Sequence, residues 1–152
     1  MAEVASAGKS AKFDELKQFG VLPLIKGKDG LWRVILITSR DSGRWTIPKG
    51  NPIKGLKPHQ AAAQEAEEEA GLIGDISKDP IGTYDFFKRR EGSFELANVT
   101  VFALKVKKQL STFKEQGIRK IEAFLPADAE EAVMEPGLKS IIRSITQLRS
   151  SW

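Results

Sequence analysis

Gln64-Glu65-Ala66-Glu67-Glu68-Glu69-Ala70-Gly71-Leu72 is the stretch on which the fold of this 152-residue chain turns. Residues 59–70 are strong helix formers. Pro58 suits the first helical turn, where its missing N–H costs nothing, and Gly71 stands where a left-handed terminating residue belongs. At 100° per residue, with Glu65 at zero, Glu68 falls at about −60°, Glu69 at about 40° and Glu67 at about 200°. Three carboxylates therefore share one face and the fourth points away. Ala63, Ala66 and Ala70 lie between about 100° and 160°, a small apolar edge suited to close packing on a sheet.

An exposed helical Glu is normally matched by Lys or Arg three or four residues away. Here those offsets carry only Ala, Gln, Glu, Gly, Leu and Ile, so none of the four Glu has a cationic partner on its own helix. The cluster also occupies the last turns, where the helix dipole disfavours negative charge. A bound divalent cation would relieve both terms. Oxygen donors without His or Cys point to Mg²⁺, with Mn²⁺ as the alternative, rather than to zinc. The competing reading is a solvated acidic face.

Working outward, residues 18–25 and 31–39 are rich in Val, Ile and Leu and flank Lys26-Gly27-Lys28-Asp29-Gly30, a β-hairpin signal. Residues 45–48 form a short apolar piece, followed by the irregular 49–57 with Gly50, Pro52 and Gly55. Downstream, residues 81–89 and 94–106 read as a second pair of strands. In the first of these Tyr84, Phe86 and Lys88 share one face, and Thr83, Asp85 and Phe87 the other. Residues 121–125 make a last short strand and 127–133 a helical turn or two. Pro136 starts a final helix whose Leu138, Ile141, Ile142, Ile145 and Leu148 form an apolar stripe. This order predicts an α/β fold with a mixed sheet between helices. Residues 1–12, small and polar, are expected to be a disordered tail, and 13–152 a single domain.

With no cysteine in the chain, thiol catalysis, a disulfide framework and thiolate zinc sites are excluded. No apolar run approaches the ~20 residues of a membrane span, and the first residues lack the basic-then-apolar pattern of a secretory signal; a cytoplasmic protein is expected. The net charge of +4 resolves into segments: residues 26–54 carry +5, 55–80 carry −4 and 81–120 carry +5. Basic flanks around an acidic centre suit a polyanion held near a metal, so a pI near 9.3 needs no nucleic-acid partner. No surface stripe stands out as a spare apolar interface.

Gly50 together with the quoted stretch resembles the Nudix box, G-x5-E-x7-R-E-U-x-E-E-x-G-U with U aliphatic. Leu56 stands where the box has Glu and Gln64 where it has Arg, so an ion pair thought to brace the loop is lost with both partners together. Ala66 is smaller than the usual aliphatic residue. Arg44-Trp45-Thr46-Ile47-Pro48-Lys49-Gly50 and Gly82-Thr83-Tyr84-Asp85-Phe86-Phe87-Lys88 look like the diadenosine and diphosphoinositol polyphosphate hydrolase branch, and the likeness runs over residues 18–148.

The resemblance implies a Nudix-like α/β/α sandwich and Mg²⁺-dependent hydrolysis of a diphosphate linkage in a small-molecule polyphosphate. Dinucleoside polyphosphates, diphosphoinositol polyphosphates and related nucleoside diphosphate derivatives are the expected substrates. It implies Glu68 and Glu69 as metal ligands, Glu65 as ligand or general base, and the Gly50 carbonyl as a further ligand. Glu115, in the turn-like 112–117, is the candidate acid and ligand outside the box. Lys49, Arg40, Arg44 and Lys88 are the candidates for holding phosphate oxygens. His59 is expected to be solvated, Trp45 to pack under the loop, and Tyr84 and Phe86 to be core or pocket wall. The alternatives are an RNA 5′-end pyrophosphohydrolase and a Nudix-fold binding or sensor module with weak catalysis.

Overall fold

The computed structural model describes residues 15–148; the expected tail lies outside the described residues, as does the side chain of Leu148. Among the described residues, eight strands and three helices follow one another as β1 (Leu16–Lys26), β2 (Trp32–Thr38), β3 (Trp45–Thr46), β4 (Lys49–Gly50), α1 (Pro58–Ala70), β5 (Leu72–Ile76), β6 (Gly82–Arg90), β7 (Ser93–Gln109), β8 (Ile121–Phe124), α2 (Pro126–Ala132) and α3 (Pro136–Leu148). All strands join one sheet of order β3-β2-β1-β7-β5, with β4 on β1, β6 on β7 and β8 on β2. Both expected hairpins form, β1 with β2 and β6 with β7, each antiparallel. The sheet is mixed because β1 and β7 run parallel, in register from Leu16↔Ala97 to Leu24↔Lys105. A parallel pair needs a long crossover, and here the chain between them carries α1.

The two-residue period of the strands splits the core. Leu22, Leu24, Val34, Leu36, Val99 and Val101 point to one face and pack against Ala129 and Val133 at α2 and Leu138, Ile141, Ile142 and Ile145 of α3. Val21, Ile35, Ile37, Phe102 and Leu104 point to the other and pack against Ala62, Ala66 and Ala70 of α1. The result is the expected α/β/α sandwich. Ala62 replaces Ala63, which is only half-buried: the covered arc of α1 is centred nearer Glu69 than the alanine positions alone indicated. β5 was not foreseen. It starts directly after Gly71, which ends α1 at φ 69° and donates its N–H to Glu67 O at 2.9 Å.

Candidate active-site cleft

A close backbone approach sets the site. A side chain at Gly20 would put its Cβ 2.9 Å from Pro48 O, so glycine there lets β4 lie against β1, with Phe19 opposite Gly50. That brings Gly50 to α1, where the Glu65 carboxylate packs on the glycine Cα so closely that a Cβ would overlap it. Glu69, 8% exposed, accepts a hydrogen bond from the Lys49 backbone N–H at 3.3 Å. Glu65 and Glu69, one turn apart on α1, lie side by side and act on each other's ionisation. Burial raises both acids: Glu69 to about 8, against the lowering pull of Arg119 and Lys49, and Glu65 against that of the Glu69 side chain and Lys114. Two carboxylates in one poorly solvated place cannot both ionise freely, so the pair retains a proton.

The cations that the helix itself lacks come from the segment between β7 and β8. Arg119 Nη2 lies 3.8 Å from Glu69 Oε2 and 3.0 Å from Glu115 Oε1, and its Nη1 donates to Thr38 O at 3.2 Å. The guanidinium side chain is 10% exposed, and its buried Nε has no partner among the described residues. Lys114 Nζ is 3.7 Å from Glu68, whose other oxygen accepts from Gln64 Nε2 at 3.0 Å. The acidic face is therefore not uncompensated. The helix end is not bare either, since Glu115 N–H donates to Glu68 O at 2.9 Å.

A cleft of about 1010 Å³ opens over this floor. Lys49, Arg40, Arg44 and Lys88, the four cations expected to meet phosphate, all line it, together with Gly50, Glu65, Glu69 and Arg119. Glu68 and Glu115 stand behind the floor rather than in the cleft. The Lys49 ammonium lies 4.9 Å from the centre of the Phe86 ring, and burial lowers its pKa, against the opposing pull of Glu69 and Glu135. Trp45 lines the cleft and meets Phe124 edge-on at 5.0 Å; Tyr84 is core and Phe86 is cleft wall. His59 is half-buried beside Phe102, at 6.3 Å between ring centres, rather than solvated.

Glu65, Glu69 and the Gly50 backbone supply oxygen donors of the kind Mg²⁺ prefers, and a divalent cation would replace the proton that the buried pair retains. Among the described residues no three of His, Cys, Asp and Glu converge closely enough to hold an ion. Two of the four expected carboxylates meet; Glu68 is held aside by Gln64 and Lys114, and Glu115 is paired with Arg119 outside the cleft lining. The residues fit a metal if Glu68 turns inward. Arg119, which lines the cleft and reaches Glu69, was missed by sequence reasoning; Lys114 and Glu135 were likewise not foreseen.

The sequence profile described as NUDIX domain matches residues 16–145. The chain is 32% identical over 114 residues to Nudix hydrolase 16, mitochondrial, of Arabidopsis thaliana, covering 72% of this chain and 63% of that protein. It is 26% identical to Nudix hydrolase 18, mitochondrial, of the same plant, covering 76% and 64%. The chain thus spans less than two thirds of the length of these curated relatives. Among solved structures, a C. elegans Ap4A hydrolase binary complex superposes with a TM-score of 0.66 at 20% identity, over 90% of this chain and 99% of that one. The NUDIX domain of Shewanella oneidensis NrtR, complexed with ADP ribose, gives 0.66 at 15% identity, over 97% and 99%. At these identities the likeness to solved structures establishes the fold.

Proposed function

The chain belongs to the NUDIX domain family, and on that premise we propose that it is a divalent-metal-dependent hydrolase that splits a diphosphate linkage in a nucleoside diphosphate derivative. One observation carries the reading: the Glu65–Glu69 pair over Gly50 forms the floor of a cleft whose rim bears Lys49, Arg40, Arg44 and Lys88. Glu69 and the Gly50 carbonyl, with Glu68 and Glu115 behind them, are the residues that would hold Mg²⁺ or Mn²⁺, which leaves Glu65 free as the base. The ion supplies charge neutralisation and Lewis acidity at the phosphate. The rim cations hold the phosphate oxygens, Arg in the planar two-point manner that phosphate favours. Glu65 takes a proton from the attacking water as the oxygen–phosphorus bond forms and the bridging P–O bond breaks, and the leaving phosphate departs with the bonding electrons.

A dinucleoside polyphosphate or a diphosphoinositol polyphosphate is the proposed substrate. The test is a panel of dinucleoside polyphosphates, nucleoside triphosphates, diphosphoinositol phosphates and triphosphorylated RNA, assayed with Mg²⁺ and with Mn²⁺. Turnover of a small polyphosphate that is lost in Glu69→Gln supports the reading. Inertness towards every member overturns it in favour of a binding or sensor module. That second reading has its own support in the Arg119–Glu69 and Lys114–Glu68 pairs, which occupy the carboxylates with internal cations. No described helix is long and apolar enough to cross a membrane. The curated relatives are named as mitochondrial proteins, and imaging of the tagged protein decides between that compartment and the expected cytoplasm.

A further inference from the structure

Residues 110–120 join β7 to β8 and are tied down on both sides of Arg119. At α1, the Phe113 ring lies so close to Gly71 that a Cβ there would overlap it, and Glu115 N–H donates to Glu68 O at 2.9 Å. At β2, Lys120 N–H donates to Thr38 Oγ1 at 2.9 Å and Thr38 N–H to Lys120 O at 3.1 Å. Between these ties the chain makes two successive turns, with Gln116 N–H on Phe113 O, Ile118 N–H on Glu115 O and Gly117 at φ 85°. The backbone around residue 119 is thus held in place, so any rearrangement at this wall of the cleft belongs to the Arg119 side chain.

That side chain is unevenly satisfied. Nη1 donates to Thr38 O at 3.2 Å and Nη2 to Glu115 Oε1 at 3.0 Å, but Glu69 Oε2 lies 3.8 Å away, beyond hydrogen-bond reach. Nε is buried without a partner among the described residues, an unfavourable place for a donor. The other Glu69 oxygen, Oε1, already accepts from the Lys49 backbone. Oε2 is therefore the oxygen left for an incoming cation, and Arg119 faces it. Glu115, which Arg119 holds, is close enough to Glu65 for its charge to help raise that acid.

We propose that Arg119 is a placeholder for the divalent ion: its guanidinium balances Glu69 and Glu115 when no metal is bound, and gives up both when one binds, moving into the cleft that it already lines. This rests on the metal-dependent reading of the site and adds how the carboxylates pass from one cation to the other. A guanidinium and a divalent ion at one carboxylate oxygen repel each other strongly in poorly solvated surroundings. The exchange frees Glu115, a further oxygen donor of the kind Mg²⁺ prefers. It also brings a planar two-point donor to the polyphosphate, on the side of Arg40 and Arg44.

Metal binding is measured apart from turnover, by titrating Mn²⁺ into the full chain without any phosphate ligand and following the free ion by electron paramagnetic resonance. Arg119→Met, of similar reach and without charge, should bind Mn²⁺ about tenfold tighter than wild type, because the competing cation is gone. Arg119→Lys keeps the charge and should stay within about threefold of wild type. Equal or weaker binding by Arg119→Met overturns the proposal, since an arginine that merely braces the segment would weaken the site when lost. So does an Arg119→Lys chain that binds as tightly as Arg119→Met. A second readout uses the wild type alone, whatever the folding of the methionine variant. The Arg119 Nε–H resonance, identified by its loss in Arg119→Lys, should exchange with solvent slowly without metal and about tenfold faster with Mg²⁺; unchanged exchange refutes the displacement. A chain that shows this pattern but hydrolyses no polyphosphate contradicts the hydrolase reading alone. One that hydrolyses with Mg²⁺ while Arg119 neither competes nor moves contradicts this inference alone, and a chain that takes up no Mn²⁺ in any form contradicts both.

Discussion

The two faces of the sheet are covered differently, and the difference locates the chemistry. Under α2 and α3 the packing is large on large: Leu22, Leu36 and Val101 meet Leu138, Ile141 and Ile142 with little exposed surface. Under α1 it is large on small, with alanines on the helix. Small residues bring the α1 backbone close to the sheet, so the neighbouring positions Glu65 and Glu69 are carried into poorly solvated ground beside Gly50. A helix with leucines at those positions would stand further off and leave its carboxylates in water. One face stabilises; the other gives up burial to hold charge and leaves part of β7 uncovered.

The largest expected effect tests the first half of that contrast. Leu138→Ala, at a fully buried position, should lower unfolding free energy by about 2–5 kcal/mol, read from urea denaturation. Turnover of the protein that remains folded should be unchanged. A fall in kcat with intact stability would mean that the two faces are not separable.

Glu69→Gln tests the other half. The amide is nearly isosteric and a poor ligand, so turnover should fall about a hundredfold or more, about 2.7 kcal/mol of activation, while far-UV circular dichroism is unchanged. The same variant has a pH signature. With the folded-state pKa of Glu69 raised from 4.5 to about 8, the metal-free folded chain binds more protons than the unfolded chain in that window. Stability therefore falls as pH rises from about 4.5 to about 8, and metal binding, which needs the carboxylate, tightens over the same range. Glu69→Gln should flatten the stability slope. A wild-type chain whose metal-free stability rises with pH there would contradict the burial argument.

Gly50→Ala comes next in size. The added methyl overlaps the Glu65 carboxylate, the end of a flexible side chain, so the backbone has no need to move and the carboxylate swings away. Metal affinity and kcat should each fall about tenfold, about 1.4 kcal/mol, with Tm nearly constant. A collapse in Tm would mean that the loop, not the side chain, gives way.

Local patterns of the fold were legible: the two hairpins, the helix ended by Gly71 and the apolar stripe of α3 follow from periodicity and turn residues. What escaped was long-range. The β1–β7 parallel pairing leaves no mark in either strand, and β5 hides in five residues directly after the helix stop. In the site, the carboxylates could be read from the helical wheel, because their spacing is local. Arg119 could not: it reaches Thr38, 81 positions away in the chain, and no pattern around residue 119 announces that partner. For the same reason the acidic face looked uncompensated when counted along the helix alone.

Gln64→Arg is expected to do least, and it separates an inherited pattern from a working contact. The box resembled by this chain has Arg at this position, paired with an acid at the position of Leu56, which is 37% exposed here and offers no carboxylate. Gln64 already donates to Glu68 at 3.0 Å from an exposed site. An arginine would do the same with more charge, joining Lys114 as a second cation on Glu68, and an exposed pair of that kind contributes little. Turnover should change less than about threefold, under about 0.7 kcal/mol, with a slight loss because Glu68 is held more firmly out of the cleft. A large gain would mean that Glu68 already works from its present position and that the loop needs only a cation to brace it, which would move the third carboxylate from behind the floor to the centre of the site.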